Sequence, residues 1–323
     1  MTLKETRQGI YLDDDILDDI LDGITKCDGI IFDCDGVLID ISESYDFAIR
    51  NTAKYVLEEY GIKNPILVDS HIIDGFKSTG GFNDEVDLTY GVILAIVAAD
   101  KLGYDQKSFI SEVISNLDDT GIKSAEKYIE KIADVHDIRE RLCYPGPHAE
   151  NVLYRIFDQM FYGEHLYKKV YGIESEFPGP GLIENDKLII NDILLDALHE
   201  RFSNVGIVTG RGMVSARHSL GKLLDRFDLK NSAFLEDEPR NLAKPNPESL
   251  VCAVRGMNSK CCMYVGDSIE DYIMAQKSTE LGSDIIFCGI TGTSRNPKEK
   301  LALFERNGVK IILDSIKLLP EIL

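Results

Sequence analysis

The chain has 323 residues, 44% of them hydrophobic, enough to bury a core in one large domain or two modest ones. Its 55 acidic residues outweigh 35 lysines and arginines for a formal net charge of −20. That balance argues against nucleic-acid backbones and anionic membranes as partners, and any anionic substrate would need local cations. The cysteines (Cys27, Cys34, Cys143, Cys252, Cys261, Cys262 and Cys288) form no Cys-x-x-Cys pair and no Cys/His zinc spacing, so reduced and mostly buried thiols are expected. No basic stretch followed by an apolar one opens the sequence, and the longest apolar run, Val92 to Ala99, falls far short of the roughly 20 residues that cross a bilayer. Cytoplasmic placement is the expectation.

In chain order, Ile16, Leu17, Ile20, Leu21 and Ile24 have the spacing of one helix face, which predicts an amphipathic helix over about 11–26. The apolar run Gly29 to Phe32 reads as a buried strand. Residues 42–178 show helical periodicity and almost no strand pattern, and they end in the Pro/Gly stretch 177–181, which suits a domain boundary. Beyond it, apolar runs at 204–208, 233–235, 261–265, 284–288 and 309–313 alternate with helical stretches at 191–201, 213–226, 247–257, 269–278 and 297–306. Strict alternation implies an α/β fold with a doubly wound parallel sheet, a Rossmann-like core whose site lies at the carboxyl ends of the strands. The predicted organisation is a core of residues 1–41 and 179–323, interrupted by an all-helical domain at 42–178.

Four segments at predicted strand ends and loops carry chemistry. Asp33 and Asp35 follow the first strand, and residues two apart on a strand point to one side, so their carboxylates are expected to project together. Two acids aimed at one spot can divide labour, one attacking or binding metal while the other moves protons. By itself, however, Asp-x-Asp-Gly is an ordinary turn. Thr209 closes a later strand before Gly210, a hydroxyl and an open backbone N–H suited to phosphoryl oxygens, although a Thr-Gly turn is equally ordinary. Lys244 is framed by Pro245, Asn246 and Pro247, which hold it beside a helix start. Asp267 stands in a Gly-Asp loop where it can ligate a hard divalent cation. Ser268 to Asp271 is a Ser-x-x-Asp capping box, so Asp271 serves the helix start, the metal site, or both.

In this order the four segments resemble the signature of the haloacid dehalogenase superfamily, and the helical insertion after the first of them looks like the type 1 cap of its subfamily I, though larger than a minimal one. The resemblance covers residues 27–40 and about 180–315. It implies Asp33 as the nucleophile that becomes an aspartyl phosphate, and Asp35 as the acid and base. It further implies Mg²⁺ held by Asp33, the Asp35 backbone carbonyl and Asp267, with Asp271 behind them, and Thr209, Gly210 and Lys244 binding phosphate. A small phosphorylated metabolite is the expected substrate, with no nucleic-acid or membrane partner. Asp35 and Asp267 argue against dehalogenation, which needs neither a metal nor that proton donor. A phosphohydrolase is the first reading. A phosphomutase resembling β-phosphoglucomutase and a non-catalytic phospho-ligand-binding protein are the alternatives. Within the insert, Lys77 and Asn83 flank Gly80 and Gly81 in a candidate substrate loop that reads equally as a surface connection, and His148 reads as a surface residue. The physiological substrate and the oligomeric state stay open.

Overall fold

A computed structural model gives the structure of the chain and describes residues 3–82, 84–118, 120–146 and 151–323. The chain divides into two units, Met1–Ser42 with Asp186–Leu323, and Glu43–Asn185.

The first unit is built on a sheet whose strands alternate their burial from face to face. In β3 (Gly29–Phe32), Ile30 and Phe32 join one apolar cluster while Ile31 joins the other. The same division separates Val205 and Ile207 from Val208 in β6 (Asn204–Thr209), and Met263 and Val265 from Tyr264 in β8 (Cys262–Gly266). A strand with both faces covered has no polar side, which is why these segments read as continuous apolar runs. One face is covered by α1 (Leu17–Lys26), α9 (Asp192–Arg201) and α10 (Met213–Leu220). The other is covered by α11 (Glu248–Gly256), α12 (Ile269–Glu280) and α13 (Pro297–Asn307). The sheet is completed by β1 (Leu3–Arg7), β2 (Ile10–Asp13), β7 (Ala233–Phe234), β9 (Ile285–Ile290) and β10 (Ile311–Leu313), in the order β1-β2-β10-β9-β8-β3-β6-β7. From β10 to β7 all pairings are parallel. This is the doubly wound core expected from the sequence.

Two boundaries differ from that expectation. The predicted helix over 11–26 begins only at Leu17, because Ile10 and Leu12 are buried on alternate positions and form β2, antiparallel to both β1 and β10. An antiparallel hairpin thus closes one edge of the parallel sheet, and period-two burial prevails over the helical spacing that begins a few residues later. The Pro/Gly stretch at 177–181 belongs with the helical unit, not with the core. Gly163 bridges to Pro180 at a φ of +69°, and a Cβ on Gly181 would lie 2.3 Å from the Tyr162 backbone, so these glycines let two backbone segments touch.

The second unit contains α2 (Ser44–Tyr60), α3 (Ser70–Ser78), α4 (Glu85–Leu102), α5 (Gln106–Ser115), α6 (Ile122–Ile129), α7 (His136–Leu142) and α8 (Val152–Tyr171). Four of these start on a side-chain cap, Asp69, Asp84, Asp105 or Asn151, each accepting a backbone N–H of the first turn. The apolar run at Val92 to Ala99 lies in α4, which is buried all round by its neighbours. Among the described residues no helix is long and apolar enough to cross a membrane.

Candidate active site

Register places the site. Phe32 of β3 pairs with Ile207 of β6 and with Val265 of β8, so these three strands end nearly level. Asp33 and Asp267, just beyond β3 and β8, and Thr209, the last residue of β6, therefore stand along one edge of the sheet. The strand β3 stops at Phe32, so the two acids of the first segment are not set by strand alternation as expected. Asp33 makes one more ladder bond, its N–H donating to Val265 O at 2.9 Å. The chain then turns tightly, the N–H groups of Leu38 and Ile39 both donating to Cys34 O at 2.8 and 2.9 Å. Gly36 takes a φ of +73°, and a Cβ there would lie 2.3 Å from Asp267 Oδ2. Only glycine lets the turn and the Asp267 carboxylate approach this closely.

Lys244 joins the segments. Its Nζ lies 2.9 Å from Asp33 Oδ1 and 2.6 Å from Asp271 Oδ1, with its side chain 10% exposed. Asn246 accepts the Glu248 N–H at 2.9 Å where α11 starts, fixing the loop that carries the lysine. Asp271 divides its oxygens between the helix cap and the buried cluster around Lys244. Oδ1 takes Lys244 and the Tyr264 hydroxyl, at 2.7 Å. Oδ2 accepts from Ser268 N, Ser268 Oγ and Asp267 N at 3.1, 2.8 and 3.2 Å, completing a capping box on α12. Thr209 is buried and its hydroxyl accepts the Arg211 N–H at 3.2 Å, while Gly210 is exposed with open space above its Cα.

Burial pushes the Asp33 carboxyl up to about 7, with the Asp271, Asp267 and Asp35 charges adding to the rise and Lys244 opposing it. Burial by itself would lower Lys244, but the Asp271 and Asp33 carboxylates hold it well above the ordinary lysine value. Asp271 is held below the usual carboxylate range, since Lys244, Tyr264 and Ser268 outweigh its desolvation.

A haloacid dehalogenase-like hydrolase model matches residues 27–279, running from the strand before Asp33 into the helix that holds Asp271. The chain belongs to that family. No curated protein matches the sequence. Among solved structures, phosphatase Tt82 from Thermococcus thioreducens is 23% identical over 86% of this chain and 99% of its own, with a TM-score of 0.57. A structural-genomics target is 18% identical over 91% of this chain and 98% of its own, with a TM-score of 0.64. At these identities the likeness is one of fold.

The donor set of this haloacid dehalogenase-like site suits a hard cation. Carboxylate oxygens of Asp33, Asp267 and Asp271 lie within 4.8 Å of one another, with no nitrogen or sulfur ligand among them. Both oxygens of Asp271 are engaged, whereas the contacts of Asp33 and Asp267 fall on one oxygen each, so Asp33 and Asp267 are the carboxylates better placed to hold it.

Several residues were not read from the sequence. Lys300, on α13, places Nζ 2.6 Å from Asp267 Oδ2. Arg211, next to Thr209 and Gly210, lies 2.8 Å from Asp35 Oδ1 and 2.7 Å from Asp186 Oδ2. Lys300 carries no local signal, and Arg211 offers only its place beside the Thr-Gly pair. Lys77 lies near the end of α3 and pairs with the half-buried Glu85 at 3.2 Å. Gly81 packs against the Gly121 backbone, where a Cβ would lie 2.3 Å from Gly121 N, so the candidate substrate loop has a packing role within its own unit. Asn83 and His148 lie outside the described residues.

Proposed function

We propose that this chain is a Mg²⁺-dependent phosphohydrolase that acts on a small phosphorylated metabolite through an aspartyl phosphate on Asp33. The observation that carries the reading is the single lysine, Lys244, in contact with both Asp33 and Asp271, beside Asp267 and at the edge where Thr209 and Gly210 emerge. Asp33 is the nucleophile, and its carboxylate attacks phosphorus in line. Asp35 protonates the leaving oxygen and then takes a proton from the water that hydrolyses the acyl phosphate. Thr209 and the Gly210 N–H bind phosphoryl oxygens. Lys244 neutralises charge on the approaching phosphate, which matters because two unit charges 4 Å apart interact by about 4 kcal/mol at an effective dielectric near 20. Mg²⁺ held by Asp33, Asp267 and the Asp35 backbone carbonyl, the set implied by the family pattern, supplies further positive charge against that repulsion.

The test is direct. Purified protein with Mg²⁺ is expected to release inorganic phosphate from an aryl phosphate, to stop in EDTA, and to lose turnover in Asp33→Asn. Turnover that survives Asp33→Asn removes the mechanism. A panel of phosphorylated metabolites then identifies the substrate class.

A further inference from the structure

Asp33 and Asp35 are served by different cations. Lys244 takes the first, while the second goes to a guanidinium whose surroundings form a closed frame. The Arg211 side chain is 0% exposed, and the Asp186 side chain it meets is 4% exposed. Nη2 lies 2.8 Å from Asp35 Oδ1. Nη1 lies 2.7 Å from Asp186 Oδ2 and donates to Ser219 Oγ at 2.7 Å, and the Ser219 hydroxyl donates to the same Asp186 oxygen at 2.6 Å. The backbone completes the frame. Gly36 N–H donates to Ile39 O at 2.8 Å, β4 (Ile39–Asp40) pairs with β5 (Lys187–Leu188), and Asp186 directly precedes β5. The loop carrying Asp35 is thus tied to Asp186 twice, once through this small ladder and once through Arg211.

We propose that Arg211, anchored by Asp186 and Ser219, is the positioning residue that aims the Asp35 carboxylate for proton transfer. The inference deepens the hydrolase reading above and rests on it. An aspartate side chain 24% exposed on a turn has staggered alternatives open to it, and a proton-transfer group works only within hydrogen-bond reach of its target. One buried guanidinium thus reaches both carboxylates, holding Asp186 through a directed hydrogen bond and Asp35 through a charge contact at 2.8 Å. A lysine, as a point charge, could serve one of them but could not span both. The buried setting and the contacts to Asp35, Asp186 and Ser219 commit this guanidinium to its own protein neighbours.

The experiment separates proton transfer from the rest of the reaction. With 2,4-dinitrophenyl phosphate the leaving group needs no proton, so phosphorylation of Asp33 appears as a burst of dinitrophenolate, and the Asp35-assisted hydrolysis sets the later steady state. Arg211→Met is expected to keep the burst rate within about 3-fold of wild type while the steady-state rate falls about 100-fold, the scale of general acid–base catalysis. Turnover of phenyl phosphate, whose leaving group does need the proton, should fall by the same factor, with KM within about 3-fold. Arg211→Lys should behave like Arg211→Met. Asp186→Asn, which keeps the shape if the arginine variants fail to fold, should lose about 10-fold on the same step. An equal loss of burst and steady state, a rise in KM alone, or rates all within 2-fold of wild type overturns the proposal. A crystal structure of Arg211→Met decides the clamp without reference to turnover, because the Asp35 carboxylate should be displaced, and an unmoved carboxylate refutes it. Wild type that turns over neither ester would count against the hydrolase reading, while that structure still settles the clamp.

Discussion

Replacing Lys244 with methionine keeps an unbranched side chain one atom shorter and removes the charge that separates Asp33 from Asp271. At an effective dielectric near 20, each contact, 2.9 Å to Asp33 and 2.6 Å to Asp271, corresponds to about 6 kcal/mol of gross attraction. Desolvation of the three groups offsets most of this, and removing one partner from a buried pair costs ~3–5 kcal/mol net. The cost should depend on pH, because the survivors can respond by taking up a proton. Asp33 already sits near 7, above its ordinary value of 3.8, through burial, and the loss of Lys244 raises it further. A carboxyl raised on folding contributes stability that is fully present below the unfolded value and lost as pH rises through the folded one. In Lys244→Met this loss should therefore be far larger at pH 8 than at pH 5.5. Thermal unfolding in EDTA at both values is the assay. For a unit of this size about 1 kcal/mol shifts Tm by roughly 2–4 °C, so a fall of about 6–20 °C is expected at pH 8 and a much smaller one at pH 5.5. A variant that melts within 2 °C of wild type at pH 8, or equally depressed at both values, refutes the electrostatic account.

The same groups set three further expectations. Cation binding at Asp33 must displace a proton below about pH 7, so Mg²⁺ affinity by calorimetry should fall up to about tenfold per pH unit beneath that point, with proton release visible in buffers of different ionisation enthalpy. A flat affinity between pH 8 and pH 5.5 would contradict this. Lys300→Met, which removes the charge 2.6 Å from Asp267, should tighten Mg²⁺ binding about tenfold, and weaker binding would show that the lysine instead holds Asp267 in place for the ion. Gly36→Ala combines a φ of +73° with a Cβ at 2.3 Å from Asp267 Oδ2, so about 1–3 kcal/mol of stability and at least tenfold in Mg²⁺ affinity should go together. Wild-type affinity in that variant would mean Asp267 is not the ligand.

The parallel core was legible because its strands are buried on both faces. Runs such as Gly29 to Phe32 or Cys262 to Gly266 stay apolar end to end and stop at Gly, Asp or Thr. The edge hairpin was not, since the alternation of Ile10 and Leu12 is only a few residues long and runs directly into a stronger helical pattern. Asp33, Asp267 and Lys244 stand out because glycines and prolines beside them mark special backbone. Arg211, Asp186 and Lys300 do not, since what distinguishes a buried arginine from a surface one is a partner far along the chain. Asp271 caps α12 as its Ser-x-x-Asp spacing indicates, whereas its contacts to Lys244 and Tyr264 leave no local mark in the sequence. A carboxylate has two oxygens, and here each has its own task.

The short ladder between Ile39–Asp40 and Lys187–Leu188 has a consequence for how this chain can change. It keeps the exit and re-entry points of the long helical excursion side by side, so to the sheet that excursion behaves as a closed loop. Closing a loop becomes dearer by only about 0.6 kcal/mol for each doubling of its length. The excursion is therefore free to grow, shrink or be exchanged for another over evolutionary time, while the strands of the sheet keep presenting their acids in unchanged register.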